Sequence, residues 1–350
     1  MTKPLYQQVK EYLRNDIMQG KWAVGDCLPG ELDLSQQFNV SRFTIRQALL
    51  ELTREGLLYR QAGKGTFIKS LGPTQEIRRI NKGKKQIGFV LPYIADAHTG
   101  GILKGAEREA AENGYRIIFV NSQGTADEWS LLDELYHEGV DGVIYYFMDL
   151  ARSEENVLKL QERKYPFVLV DHFLPEIPTD FVVSDNFMGS YQAVKHLLDL
   201  GHIQIGMIAC DKGMSSVEQR EKGYRMAIQN YNLEVKPDNI LIKSENEISD
   251  IEIANFIADT RITALITTDL IGIKVIKIVA KFGMKVPDQL AIVGFDNIPI
   301  SSLIIPSLTT VEQQCEEIGA QAVKILINKF KGSNRLTQKV LNTKLTVRMS

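Results

Sequence analysis

The sequence predicts two folded parts: a winged helix-turn-helix domain at residues 1–70, and an α/β domain of two doubly wound subdomains at residues 86–350. Three observations carry this. Helical periodicity dominates residues 4–55 and then gives way to two short β-like runs around a glycine turn. From Gln86 onward, apolar strand-length runs alternate with helical stretches, which implies parallel sheets covered on both faces. Charge divides at the same place: residues 1–85 hold 15 Lys+Arg and 8 Asp+Glu, whereas residues 86–350 hold 26 and 35. A basic first segment on an acidic remainder suits a polyanion-binding module joined to a part with a different task.

In the first part, Leu5, Val9, Leu13 and Ile17 recur at helical spacing, and Gly20 is a stop signal. Leu28-Pro29-Gly30-Glu31 turns the chain into a short helix near 31–38. Ser41 is a good N-cap for a third helix, because its hydroxyl can accept from a free first-turn N–H. Val40 and Ile45 sit where a hydrophobic staple would form. Ile45, Ala48, Leu49 and Leu52 make one buried stripe, and Gly56 stands at C′. Arg42 and Arg46 project together from the exposed side, flanked by Thr44 and Gln47. Arginine pairs bidentately with guanine and glutamine with adenine. Leu57–Arg60 and Thr66–Lys69 read as a hairpin whose tip carries Gln61 and Lys64. Such a wing reaches the minor groove or backbone beside a helix seated in the major groove.

Tyr6, Leu28-Pro29-x-Glu31, Phe38-x-Val40-Ser41-Arg42-x-Thr44-x-Arg46-x-Ala48-Leu49, Leu52, Glu55-Gly56-Leu57-Leu58 and Gly63-x-Gly65-Thr66-Phe67 together resemble the GntR family of bacterial transcription regulators over residues 4–69. The resemblance implies DNA contacts from Glu31, Ser41, Arg42, Thr44 and Arg46, and from the wing between Gln61 and Thr66, with Gly63 and Lys64 inside it. Gly30 departs from the pattern, where serine or threonine is usual. Gly63-Lys64-Gly65-Thr66 lacks the spacing and following helix of a phosphate loop.

Residues 71–85 read as a linker: Gly72-Pro73 breaks regular structure, and a basic run follows from Arg78. Beyond it the expected strands are Gln86–Pro92, Tyr115–Asn121, Val140–Phe147, Pro166–Asp171, Phe181–Ser184, Ile205–Ala209, Leu241–Lys243, 263–267 and 290–294. The expected helices are 100–113, 127–138, 153–163, Gly189–Leu200, 216–231, 250–258, 270–282 and 312–330. Ligands of such sheets bind beyond the C-terminal strand ends. That rule singles out Tyr93, Asp96, His98, Asp171, His172, Ser216, Asp269 and Asp296, with Arg220 nearby. These donors and acceptors suit sugar hydroxyls. Asp185 and Asn186 read as caps of the next helix, and His196 and His202 as residues that pack or bond locally.

Ile87-Gly88-Phe89-Val90-Leu91-Pro92, Asp185-Asn186-x-x-Gly189, Arg220-x-x-Gly223-Tyr224 and Val286-Pro287-x-x-x-x-Ile292-Val293-Gly294-Phe295-Asp296 resemble the effector domains of the LacI/GalR family, which are periplasmic-binding-protein-like. The resemblance implies that Arg220 and Asp296 clamp effector hydroxyls, with Asp269 in the same cleft. A GntR-type head on a LacI-type body is similar to the arrangement in bacterial arabinose repressors. It implies a homodimeric, DNA-binding repressor released from its operator by a sugar such as L-arabinose; another sugar or a purine stays open.

The competing class is a sugar-binding enzyme. No paired metal motif, no G-x-G-x-x-G after a strand and no nucleophile elbow is present. Cys27, Cys210 and Cys315 are odd in number and far apart, which suggests neither a disulfide framework nor a metal site. No cofactor is expected. The N-terminus does not read as a signal peptide and no apolar run nears the roughly 18 residues of a membrane span, so the expected compartment is the cytoplasm.

Overall fold

The computed structural model describes residues 4–18, 21–61, 64–69, 85–91, 97–122, 128–210, 213–244 and 247–350. The chain divides into two compact units, Met1–Lys84 with Asp133–Val140, and Lys85–Leu132 with Asp141–Ser350.

The head contains α1 (Leu5–Met18), α2 (Glu31–Phe38), α3 (Arg42–Arg54), β1 (Leu58–Gln61) and β2 (Gly65–Ile68). Val9, Leu13 and Ile17 of α1 meet Leu34 of α2 and the Ile45, Ala48, Leu49, Leu52 stripe of α3, with Leu58 and Ile68 closing the core. Ser41 caps α3 as expected, accepting from the Thr44 N–H at 3.1 Å. Gly30 has no side chain to cap α2; instead its N–H donates to Asp33 Oδ2 at 3.2 Å. β1 and β2 are antiparallel, with Gln61 opposite Gly65.

The body runs β3 (Gln86–Leu91), α4 (Ala97–Glu112), β4 (Arg116–Asn121), α5 (Glu128–His137), β5 (Gly142–Tyr145), α6 (Leu150–Glu162), β6 (Phe167–Val170), β7 (Phe181–Ser184) and α7 (Asn186–Asp199). It continues through β8 (Ile205–Cys210), α8 (Ser215–Asn230), β9 (Ile240–Lys243), α9 (Asp250–Thr260), β10 (Ala264–Ile266), α10 (Asp269–Lys281) and β11 (Ala291–Asp296). The last elements are β12 (Thr309–Glu312), α11 (Cys315–Phe330), β13 (Gln338–Leu341) and β14 (Lys344–Thr346). Two six-stranded sheets result, ordered β13-β7-β6-β5-β3-β4 and β14-β12-β11-β10-β8-β9. Every pairing is parallel except β12 with β14. The first sheet packs Ile87, Phe89, Ile144 and Val168 against Ile102 of α4 and Ile318 and Val323 of α11. The second packs Leu265 and Ile292 against α9 and α10.

The chain crosses between sheets near Asp185, at 313–314 and at 342–343. Backbone and side chains tie the crossings together: the Asp185 N–H donates to Leu341 O at 2.8 Å, and Gln314 Nε2 to Asn342 O at 2.8 Å. One expectation is corrected here. The helix read over 312–330 begins at Cys315, because β-branched Thr309, Thr310 and Val311 pair along β11 as a strand. β13 and β14 were not anticipated; they are short edge strands without a fully buried residue. α4 and α11 pack at backbone contact. A Cβ on Gly105 would stand 1.8 Å from Glu316 O, and one on Gly319 1.9 Å from Ile102 O, so both glycines are required by close approach.

Candidate DNA-binding face and effector cleft

On the head, burial of one side of α3 leaves Arg42 and Arg46 exposed, with Gln47 half-buried. Glu31, at the start of α2, does not stand free. Its Oε2 receives Arg46 Nη2 at 3.0 Å and its Oε1 receives Arg60 Nη2 of β1 at 2.9 Å. The hydrogen bond from Arg46, with the charges of both arginines, holds the Glu31 carboxyl below its ordinary range. One carboxylate therefore fixes an α3 arginine and a wing arginine together. Ser41 Oγ lies 2.8 Å from Thr44 Oγ1, so these two hydroxyls pair at the cap. Gln61 and Lys64 are exposed at the wing tip, joined by Lys64 N–H to Gln61 O at 3.0 Å; the Thr66 carbonyl accepts from Leu28 N–H at 2.9 Å. Gly63 lies outside the described residues.

In the body, the strand order reverses between β3 and β5 and between β8 and β10. Crevices beyond the C-terminal strand ends form at such switch points. Asp171 follows β6 and Asp296 ends β11, and both have positive φ, 67° and 113°. A non-glycine residue rarely adopts this backbone, and such strain concentrates at ligand-binding sites.

Asp171 is the hub of one buried cluster. Its Oδ1 is 2.9 Å from His98 Nε2, and its Oδ2 accepts from Tyr146 Oη at 3.0 Å and lies 3.3 Å from His172 Nε2. Ser216 Oγ is 3.0 Å from His172 Nδ1. Burial is the largest single influence and pulls the His98 imidazolium down, but the charge and the hydrogen bond of Asp171, with Cys315, together overcome it and hold His98 well above the ordinary histidine range. For Asp171, burial works upward and is overcome by His98 and His172, so its carboxyl sits below the ordinary range. His172 is pushed down, by burial first and by Arg220 and His98 against the pull of Asp171.

Asp296 is the hub of a second cluster. Gln313 Nε2 donates to its Oδ1 at 2.7 Å, and Arg220 Nη2 is 3.8 Å from the same atom. The Arg220 guanidinium lies 3.9 Å over the Phe295 ring, and its Nε donates to Asn186 Oδ1 at 2.8 Å. Burial raises the Asp296 carboxyl against the pull of Arg220. Gln313 joins the clusters, with Nε2 3.4 Å from His98 Nδ1; Cys315 Sγ stands 3.2 Å from that nitrogen. A cavity of about 440 Å³ adjoins, lined by Gly101 of α4, by Asp296 and Asn297, by Gln313 of the crossing and by Cys315 at the start of α11. Gln313 Oε1 is buried and has no hydrogen-bond partner among the described residues.

Asp269 is placed differently. It is fully buried, its Oδ2 accepting from the Ile298 N–H at 2.9 Å and its Oδ1 from Thr310 Oγ1 at 2.5 Å. A Cβ on Gly294 would stand 2.0 Å from its Oδ1, so that glycine makes room for the carboxyl. Burial, then the charge of Asp296, lifts it to about 7. Asp269 thus braces the turn that carries Asp296. Tyr93 and Asp96 lie outside the described residues. Sequence reasoning missed Tyr146, Gln313 and Cys315, the first hidden in a strand-like run and the others in an expected helix. Asp185 caps α7 as expected, through Met188 N–H at 2.9 Å. Asn186, read as a cap, instead holds Arg220. The His202 ring bonds not within its own stretch of chain but across the sequence, its Nδ1 3.0 Å from Thr263 Oγ1, 61 positions on.

The chain is similar to known proteins along both parts. Residues 5–68 match the bacterial regulatory proteins of the gntR family, and residues 194–350 the periplasmic binding protein-like domain. The arabinose metabolism transcriptional repressor of Geobacillus stearothermophilus is 30% identical over 337 residues, covering 93% of this chain and 91% of its own. The chain belongs to that family of transcriptional repressors. Members of this family are transcription regulators, not enzymes. Among solved structures, the transcription regulator CcpA of Lactococcus lactis matches with a TM-score of 0.69 at 25% identity, over 76% of this chain and 99% of that one. A LacI family transcriptional regulator from Enterococcus faecium with bound ribose matches with a TM-score of 0.65 at 26% identity, over 76% and 98%. This repressor-family chain has no helix, among its described residues, long and apolar enough to cross a membrane.

Proposed function

We propose that this protein is a cytoplasmic, homodimeric repressor of carbohydrate-utilisation genes, released from its operator by a sugar such as L-arabinose. Arg42, Arg46, Gln47 and the wing residues Gln61 to Thr66 read and grip the operator, with Glu31 holding Arg46 in place. His98, Asp171, His172, Arg220, Asp296 and Gln313 hold the sugar, and Ser216 and Asp269 position them.

The observation that carries the reading is the placement of Gln313, which donates to Asp296 of one subdomain at 2.7 Å and stands 3.4 Å from His98 of the other, beside a polar cavity. A sugar hydroxyl that replaces part of this network contacts both subdomains at once, so binding depends on their mutual arrangement. Carboxylates, imidazoles and a guanidinium serve hydroxyls as acceptors and donors. The Phe295 ring is buried with Arg220 stacked over it, so it offers no open face on which a flat purine could stack, which favours the sugar. The sugar shifts the dimer only by its differential affinity for the two arrangements.

Calorimetry with L-arabinose, other aldopentoses, hexoses and a purine base tests this. Saturable binding of a sugar, with loss of operator binding at the same concentrations, is the expected result. Purine binding with no response to any sugar overturns it.

A further inference from the structure

Phe43 is the second residue of α3 and is 75% exposed. A phenyl ring left in water on a helix whose opposite side is a closed core has no packing role there. At 100° per residue it points about 170° from the centre of the Ile45, Ala48, Leu49, Leu52 stripe. Arg46 and Gln47 stand one turn further along on either side of it, and Arg42 precedes it. The outermost side chain of the first turn of α3 is therefore apolar, and it is framed by side chains suited to base edges.

A helix seated in the major groove meets base edges with its N-terminal residues. The apolar group that the groove offers is the thymine C5-methyl, and phenylalanine is among the side chains that contact it. We propose that Phe43 is a specificity-determining residue that packs on a thymine methyl in each half-site, setting T apart from C beside the bases read by Arg42 and Arg46. This rests on α3 being the DNA-reading helix.

The test begins with the full-length wild type and a random duplex pool, from which the tightest-bound sequence is selected. Its thymines are then replaced one at a time by deoxyuridine, which removes the methyl and keeps the base pairing. Wild type loses about fourfold in affinity at one thymine per half-site, the equivalent of one buried methyl group. Phe43→Ala binds the thymine and deoxyuridine duplexes equally, while Phe43→Leu keeps part of the difference. Thermal melts of both variants match wild type, because the ring lies outside the core.

Insensitivity of wild type to every deoxyuridine, or equal sensitivity in Phe43→Ala, overturns the proposal. Arg42→Ala and Arg46→Ala separate the two levels. If they bind the selected duplex like wild type, α3 is not the reader and the underlying reading fails as well. If they lose binding while Phe43→Ala keeps wild-type methyl sensitivity, only the role of Phe43 fails.

Discussion

Glu31 Oε2 lies 3.0 Å from Arg46 Nη2, which joins the first residue of α2 to the exposed face of α3. The same carboxylate takes Arg60 from the wing. In a polyanion-binding face a carboxylate repels phosphate, so its presence there is explained by the orientation it imposes on Arg46. Glu31→Gln removes the charge and leaves a weaker acceptor. We expect specific operator affinity to fall while affinity for unrelated duplex rises, seen by gel shift with both DNAs in one salt. Arg42→Ala and Arg46→Ala should each weaken specific binding about 10- to 100-fold, as for loss of a bidentate base contact.

Arg220→Ala and Asp296→Asn should keep operator binding and lose release by sugar. Each removes a charge-assisted contact of about 1.5–3 kcal/mol. Arg220→Ala also uncovers Phe295 and frees Asn186. Calorimetry and footprinting with and without sugar distinguish the two functions; wild-type sugar affinity in both variants would falsify the cleft assignment.

Asp269 gives a pH signature. Its carboxyl sits at about 7 in the folded protein and near 3.8 when unfolded, so the folded state binds more protons between those values. Its contribution is then fully present below about pH 4 and is lost as pH rises towards 7, an effect on the order of 4 kcal/mol. Asp171, lowered on folding, acts with the opposite sign and loses its contribution as pH falls below the ordinary aspartate range. Urea melts of wild type and Asp269→Asn across pH 4–7 isolate the Asp269 component. The variant should lack the part of the decline that Asp269 causes.

Gly319→Ala inserts a methyl 1.9 Å from the Ile102 carbonyl, where both sides are helix backbone. Neither can yield without separating α4 from α11. Destabilisation of about 1–3 kcal/mol or more is expected, read as a lower urea midpoint at unchanged slope.

Leu303 and Ile305, at 77% and 94% exposure, sit with Ile300 on the segment after β11, and Phe282 is 71% exposed at the end of α10. Leu303 and Ile305 lie two residues apart on one segment, and a gathered apolar patch of this kind suits the contact between protomers that the proposed homodimer requires. Leu303→Arg with Ile305→Asp should shift the protein towards monomer in sedimentation velocity and weaken operator binding. An unchanged dimer would place the interface elsewhere.

The sequence by itself determined the head and the alternation of the body, because both follow from local periodicity, caps and stops. The stripe of α3, its Ser41 cap and the βα rhythm each lie within a few residues of chain. It also singled out Asp171, His98 and Asp296 as candidates, since strand ends are where such sheets expose polar groups, with Arg220 nearby. Only tertiary structure decided what these groups do. His98 and Cys315 are 217 positions apart and Gln313 meets His98 across 215, distances over which periodicity carries no information. Folding turned Asp269 inward as a brace and Glu31 into a clamp between two arginines. It also set Gln313 on the crossing between sheets, where one side chain reaches both clusters. Each outcome depends on which oppositely charged or hydrogen-bonding group packing brings within about 3 Å, and that is fixed by the path of the whole chain.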